Sequence, residues 1–226
     1  AGTRACAMAV FTKTASAPPS AARRDAERLK QVSGDRVRHE LERMFEEAQP
    51  ELSLARADDL VLFPTLVSTL EWDPELSRAV QSIREAGHET TPLLYLALLS
   101  VPLAKGNSEA LVARLNAPAT WTEVIRDTHT LRVRLPSLAV DNILPSAVYA
   151  RLLGLATESI LAWSALAPDQ TSRGLLLSFL MKWQSVKPHL TGDDLLALGV
   201  PEGPQIGELL QELLNVLAFE WFRLSA

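Results

Sequence analysis

The stretch Ser33-Gly-Asp-Arg-Val-Arg-His-Glu-Leu-Glu-Arg-Met-Phe-Glu-Glu-Ala48 is the clearest guide to the fold class of this 226-residue chain. Its apolar side chains recur at i, i+4, i+7 and i+8, which places them on one face of an α-helix. They are Val37, Leu41, Met44 and Phe45. Charged side chains of both signs alternate along another face, as on a solvated helix. The stretch therefore predicts an amphipathic helix over residues 36–48.

Outward from this helix, apolar residues keep a spacing of three and four along most of the chain. This spacing predicts further helices over residues 21–32, 76–85, 93–103, 107–115, 121–131, 145–155, 158–166 and 172–184. Segment 93–103 is apolar nearly all round, which predicts a buried central helix. Only Leu131-Arg-Val-Arg-Leu135 alternates like a strand. No partner strand is evident, so it is interpreted as a helix end or an irregular segment, and the chain is predicted to be all-α.

Local signals predict where several helices begin. Asp73 is a suitable N-cap before Pro74, and Thr191 with Asp194 resembles a capping box. Two adjacent acidic pairs, Asp58-Asp59 and Asp193-Asp194, are interpreted as N-terminal caps, because neighbouring helical side chains point about 100° apart and do not converge on one metal ion. The tight turn over residues 200–207 predicts that the chain ends in a helical hairpin.

Composition excludes several function classes. The net charge of −5 does not favour a general nucleic-acid binder, although residues 1–50 hold nine basic against seven acidic residues. The longest apolar stretch is shorter than the roughly 20 residues that span a bilayer, so no membrane partner is expected. The single cysteine, Cys6, excludes an internal disulfide and a cysteine-based zinc site.

Few side chains point to chemistry. The four histidines are isolated, and neither a nucleophile motif nor a metal-ligand spacing is present. Arg36 and Arg38 could form a basic face, but glutamates interleave with them, which favours a solvated, salt-bridged face. Gly203 and Gly207 could present free amides to a phosphate, although a plain tight turn between Glu202 and Glu208 is the favoured interpretation.

Several segments, taken together, resemble the carboxy-terminal part of bacterial class II tRNA nucleotidyltransferases and poly(A) polymerases, the CCA-adding or A-adding enzymes. The first is Ser33-Gly-Asp-Arg-Val-Arg-His-Glu-Leu41. The second is Trp183-Gln-Ser-Val-Lys-Pro-His-Leu-Thr-Gly-Asp-Asp-Leu195 with Leu198-Gly199 and Gly203-Pro-Gln-Ile-Gly207. Pro145-Ser-Ala-Val-Tyr149 resembles a segment of the longer family members. Order and spacing hold over nearly the whole chain.

The resemblance implies what the start of the chain does. Arg4 aligns with an arginine that, in the family, helps to template the incoming nucleotide base, whereas Ala1 stands where the companion aspartate would be, and Ala7 and Val10 replace two more arginines. The catalytic head, with its Asp-x-Asp metal pair, lies upstream of this helix in the family, and the sequence holds no Asp-x-Asp. The chain, which lacks an initial Met, is therefore expected to be a clipped piece that adds no nucleotides by itself, since Mg²⁺ and ATP or CTP would belong to the head.

The resemblance also implies an organisation and a partner. A neck-like segment (1–60), a helical body (61–180) and a tail hairpin (181–226) are expected to hold the acceptor and T-arm side of tRNA in the cytoplasm, alone or with a separate catalytic head. Recognition would be by shape and phosphate contacts. The candidate contacts are Arg36, Arg38, Lys187, Gly203 and Gly207, with Arg4 as a templating remnant. The alternatives are a helical module that has lost RNA binding and, on residues 203–207 alone, a helical-hairpin DNA binder.

Overall fold

The computed structural model describes residues 29–140, 143–184, 191–210 and 212–213, and every regular element among them is helical. The predicted all-α class is confirmed. The α-helices are α1 (Gly34–Phe45), α2 (Pro50–Asp59), α3 (Pro74–Glu85), α4 (Pro92–Ser100), α5 (Lys105–Leu115), α6 (Ala119–Leu138), α7 (Pro145–Leu152), α8 (Thr157–Leu166), α9 (Gln170–Ser178) and α10 (Gly192–Ala197). A 3-10 turn covers Phe63–Thr65, and a π-helical turn covers Phe179–Trp183. Residues 204–210 are also helical.

The chain divides into two units that are not continuous in sequence. The first unit contains the described residues up to Val133 together with Ala156–Leu166. The second contains Arg134–Leu155 and the described residues from Ala167 onward. The expected neck, body and tail boundaries stay a prediction.

Helix α4 is the centre of the first unit. All of its side chains from Leu94 to Ser100 are buried, in agreement with the predicted central helix. Helix α8 packs against both α4 and α3, and α1 contacts α2, α4 and α5. Since α4 has no polar face to turn toward water, its burial by neighbours on several sides is what stabilises it as a helix.

Segment 131–135 lies inside α6 and is helical. Leu131 and Leu135 are buried, while Arg132 and Val133 between them are exposed. Residues four apart share one face of a helix, so the two leucines fit a helix as well as they fit a strand. The strand-like alternation is therefore a coincidence of a five-residue window.

The predicted helix starts at Asp73 and Thr191 are confirmed. The Asp73 carboxylate accepts the Glu75 backbone N–H at 2.6 Å, and Thr191 forms a capping box with Asp194. The interpretation of Asp58-Asp59 as an N-terminal cap is wrong, because the pair forms the last residues of α2. Asp58 instead uses its Oδ1 atom to accept the backbone N–H of Trp72 at 3.0 Å.

In the second unit, the π-helical turn is the common packing partner. It contacts both α7 and α9, and the rings of Tyr149 and Phe179 lie 5.8 Å apart. No helix in the described part of the chain is long and apolar enough to cross a membrane.

Candidate RNA-binding surface

The candidate basic residues of α1 differ in how accessible they are. Arg36 lies on the exposed side of the helix. Arg38 is largely covered, with 17% of its side chain exposed, and it bonds Glu42 at 3.0 Å and Asp35 at 3.4 Å. Because Arg36 is exposed and Arg38 is largely covered, Arg36 is the better placed of the two to meet a phosphate.

The start of α1 is fixed by the end of α5. The Asn116 side-chain amide donates to Asp35 at 2.9 Å, and Arg114 donates to the backbone carbonyl of Leu29 at 2.7 Å. The hydrogen bond from Asn116 lowers the pKa of Asp35; burial opposes this effect, and the hydrogen bond and charge of Arg38 add to it. Gly34 allows this approach, because a Cβ there would lie 2.4 Å from the carbonyl oxygen of Arg114. The surface that carries Arg36 is thus held on a rigid support.

A charged cluster that the sequence did not reveal lies between α2, α3 and α4. Arg84 donates to the two carboxylate oxygens of Glu51 at 2.6 and 3.1 Å and to the Tyr95 hydroxyl at 2.7 Å. The Tyr95 hydroxyl donates to Glu51 at 3.2 Å. These residues are 11, 33 and 44 positions apart in sequence, so no local spacing could indicate the cluster.

The same cluster borders a cavity of about 290 Å³, whose other lining residues include Phe45, Glu46 and Glu47. Burial raises the pKa of Glu51, but the hydrogen bonds and charge of Arg84 outweigh it and leave that pKa below the usual glutamate value. The pKa of Arg84 is raised in turn, chiefly by its hydrogen bond to Glu51. With Glu46 and Glu47 beside an already paired arginine, this cavity does not favour a phosphate.

The tail glycines occupy an exposed turn. Gly203 precedes the helical residues 204–210, and its carbonyl accepts the Ile206 backbone N–H at 3.2 Å. Gly207 lies within that helical stretch, and a Cβ at either glycine would meet no neighbour within 4 Å. The described tail therefore leaves room for a ligand at the turn, but it brings no basic side chain to it.

The remaining candidates either fall outside the described residues or belong to no group of metal-ligating side chains among them. Arg4, Lys187 and Cys6 lie outside the described residues. His39 contacts the Asp35 carbonyl at 2.6 Å and lies 4.0 Å from Glu42. Within the described ranges, no three His, Cys, Asp or Glu side chains group as metal ligands would.

A protein-family model matches the part of the chain that contains α1 and α2. The model is described as the probable RNA and SrmB-binding site of polymerase A, and it matches residues 20–78. The exposed Arg36 and the covered Arg38 both lie within this range. The match and the fold together agree with the resemblance to the carboxy-terminal part of tRNA nucleotidyltransferases.

Individual proteins extend this likeness along the chain. An A-adding tRNA nucleotidyltransferase of Geobacter sulfurreducens is 24% identical over 203 residues, covering 83% of this chain and 23% of that protein. A CCA-adding enzyme in complex with CTP superimposes with a TM-score of 0.65 at 20% identity, over 88% of this chain and 51% of the enzyme. The CCA-adding enzyme of Thermotoga maritima, complexed with tRNA, gives 0.63 at 21% identity, over 86% and 49%. The chain thus shares a fold with about half of each enzyme structure and spans less than a quarter of the Geobacter protein.

Proposed function

We propose that this chain is the RNA-binding portion of a protein related to tRNA nucleotidyltransferases, and that it holds tRNA by its shape and its phosphates. The match of residues 20–78 to an RNA-binding family model carries the proposal. The shared fold with a CCA-adding enzyme that was solved with tRNA supports it.

The contacts proposed for this role combine charge with backbone amides. Arg36 would meet a phosphate from the exposed side of α1, with Arg38 beside it, and Lys187 would do so near the tail. Gly203 and Gly207 would offer backbone N–H groups. Such contacts fix the position of an RNA without reading its sequence, which suits a protein that must accept many tRNAs.

Nucleotide transfer is proposed to belong to a separate catalytic head. Transfer of a nucleotidyl group needs carboxylates that hold metal ions between the attacking and leaving oxygens. By the resemblance, these carboxylates, the Mg²⁺ ions and the ATP or CTP would belong to the head. This chain would then bind the tRNA and orient it toward the head, and Arg4 would be a remnant of base templating.

A second candidate function is a helical module that binds protein and no longer binds RNA. The observation in its favour is the compensation of several arginines of the first unit by carboxylates, as in Arg38 with Glu42 and Arg84 with Glu51. The net charge of −5 points the same way, because it repels a polyanion.

A titration of the full chain with tRNA at two salt concentrations tests the proposal. An acceptor-lacking tRNA and a duplex DNA serve as competitors. We expect binding that weakens with salt and that intact tRNA displaces best, because counterions are released from its phosphates and its shape is recognised. Absence of binding at low salt would favour the protein-binding module, and equal competition by duplex DNA would favour the hairpin DNA binder.

Charge reversal then tests single contacts. Arg36→Glu and Lys187→Glu are each expected to lower tRNA affinity and to flatten its salt dependence, since each removes about one phosphate contact. Lys105→Glu is the matched control, because Lys105 is exposed at the start of α5 and undergoes the same change of charge. If Arg36→Glu or Lys187→Glu binds tRNA as tightly as Lys105→Glu does, the residue substituted in that variant is not part of the interface.

A further inference from the structure

The charges of the second unit are separated along the chain. Between residues 134 and 184, its described positions hold four basic side chains and one acidic side chain, namely Arg134, Arg151, Arg173 and Lys182 with Asp169. The sequence adds one more acid, Asp141, outside the described residues. The described residues from 191 onward carry five acids and no Lys or Arg: Asp193, Asp194, Glu202, Glu208 and Glu212. The part of this unit before residue 185 is therefore the one suited to a polyanion.

Arg134 and Arg151 in this basic part are held by backbone carbonyls. The Nη1 atom of Arg134 donates to the carbonyl oxygen of Arg151, and the Nη1 atom of Arg151 donates to that of Ala147 at 2.8 Å. The two residues are half-buried. A carbonyl carries no net charge, so these bonds orient the guanidinium groups without neutralising them.

Two arginines of the first unit, Arg84 and Arg126, provide the contrast. Arg84 and Arg126 each donate twice to one carboxylate, that of Glu51 and of Glu109 respectively. Such bidentate pairs occupy the same fork of N–H donors that would bind a phosphate. Arg134 and Arg151 each use one Nη atom in the bonds described above, and a guanidinium has five N–H donors in total.

We propose that Arg134 and Arg151 form a phosphate-binding pair that contacts the RNA backbone. This inference rests on the function proposed above and adds a site to its candidate contacts. The two residues are neighbours in space, because the guanidinium of Arg134 bonds the main chain of Arg151. Arginine suits such a site, since its planar fork matches two phosphate oxygens and stays charged at any physiological pH.

The test compares Arg134→Gln/Arg151→Gln with wild type in the same tRNA titration. Removing two phosphate contacts should reduce the slope of log affinity against log salt by about 1.4 to 1.8. Arg126→Gln is the matched control, as it removes an arginine that Glu109 already neutralises. It should leave the slope nearly unchanged. Arg134→Lys/Arg151→Lys keeps both charges and should recover most of the affinity.

The outcomes separate this inference from the function on which it rests. Wild type that binds no tRNA overturns both. Wild type that binds tRNA, with a salt slope equal in the Gln double variant, the Lys double variant and Arg126→Gln, overturns the pair alone and leaves the proposed function intact. Thermal unfolding of each variant checks the fold. If the Gln double variant is destabilised, the single variants Arg134→Gln and Arg151→Gln should each still reduce the slope by about 0.7 to 0.9. Slopes in both single variants equal to that of Arg126→Gln would overturn the pair.

Discussion

At the scale of single residues, Val61 has an unusual backbone. Its φ is +59°, in the left-handed region that β-branched residues rarely adopt. Val61 follows α2, where Leu62 donates to the carbonyl of Ala57 at 3.1 Å and Val61 donates to that of Asp58 at 2.7 Å. These two bonds define a Schellman motif, in which glycine is the usual residue at the position of Val61.

Val61→Gly is therefore expected to stabilise the chain. The left-handed conformation costs a residue with a Cβ about 1 to 2 kcal/mol, and the greater freedom of glycine in the unfolded chain offsets part of the gain. A rise of about 0.5 to 1 kcal/mol in the free energy of unfolding should appear in urea titrations. Val133→Gly is the control, since Val133 is exposed within α6 and its change should destabilise. Equal losses in both variants would contradict the argument.

Asp58 offers a second prediction at this scale. Burial raises the pKa of Asp58, as do the negative charges of Asp59 and Asp73, whereas the hydrogen bond from the Trp72 N–H opposes the rise. An acid with a raised folded pKa loses stability as pH rises from its unfolded pKa through its folded pKa. Asp58→Asn keeps an oxygen acceptor for Trp72 and removes the charge.

We expect Asp58→Asn to raise the free energy of unfolding at pH 7 by a few tenths of a kcal/mol, because solvent screens a partly exposed charge. The difference from wild type should vanish as pH falls below the usual aspartate value of 3.8. Asp58→Ala should cost about 1 to 3 kcal/mol, since it leaves the buried Trp72 N–H unpaired. Urea unfolding at several pH values measures these changes. A loss in Asp58→Asn as large as in Asp58→Ala would show that the charge itself stabilises.

At the scale of helices, the contact between α1 and α5 depends on a missing side chain. The Cβ that a residue at position 34 would add meets three backbone atoms of Arg114, Leu115 and Asn116 at 2.4 to 3.1 Å. Backbone atoms cannot move aside as the end of a flexible side chain can, so α1 would have to shift. The surface that carries Arg36 would then shift with it.

Gly34→Ala is expected to destabilise the chain by about 1 to 3 kcal/mol, because the clash exceeds the gain in helix propensity. Gly106→Ala is the matched control within α5, where a Cβ meets nothing within 4 Å. It should stabilise by about 0.5 to 1 kcal/mol. Thermal unfolding followed by circular dichroism compares the two. A melting temperature that rises in both variants would mean that α1 does not approach α5 so closely.

At the scale of the whole molecule, an acidic chain is proposed to hold a polyanion, so its acids should weaken that hold. Glu202 and Glu208 flank the turn at Gly203 and Gly207. Glu202→Gln/Glu208→Gln is expected to raise tRNA affinity about two-fold per charge at low salt if a phosphate lies within about 10 Å, and less at high salt.

The control is Glu89→Gln/Glu123→Gln, which removes two exposed acids from the first unit. The same titration, run at 50 and 200 mM salt, gives both affinities. If the tail variant gains no more tRNA affinity than this control does, Gly203 and Gly207 are not phosphate contacts.

The sequence by itself determined that this protein is helical. Apolar spacing is a local property, and a helix places residues four apart on one face wherever it lies. For the same reason the caps at Asp73 and Thr191 and the buried helix around Leu96 were predictable. The family resemblance also came from sequence, since its motifs are short runs of neighbours such as Ser33–Leu41.

Only the tertiary structure decided which charges are compensated. Arg84 is neutralised by Glu51, 33 residues away, whereas Arg134 is held by the uncharged carbonyl of Arg151. It also decided that Asp58 ends α2 and bonds Trp72, 14 residues further along the chain. The physical reason is the same in each case: an ion pair or hydrogen bond needs atoms within about 3 Å, and packing of helices distant in sequence sets those distances.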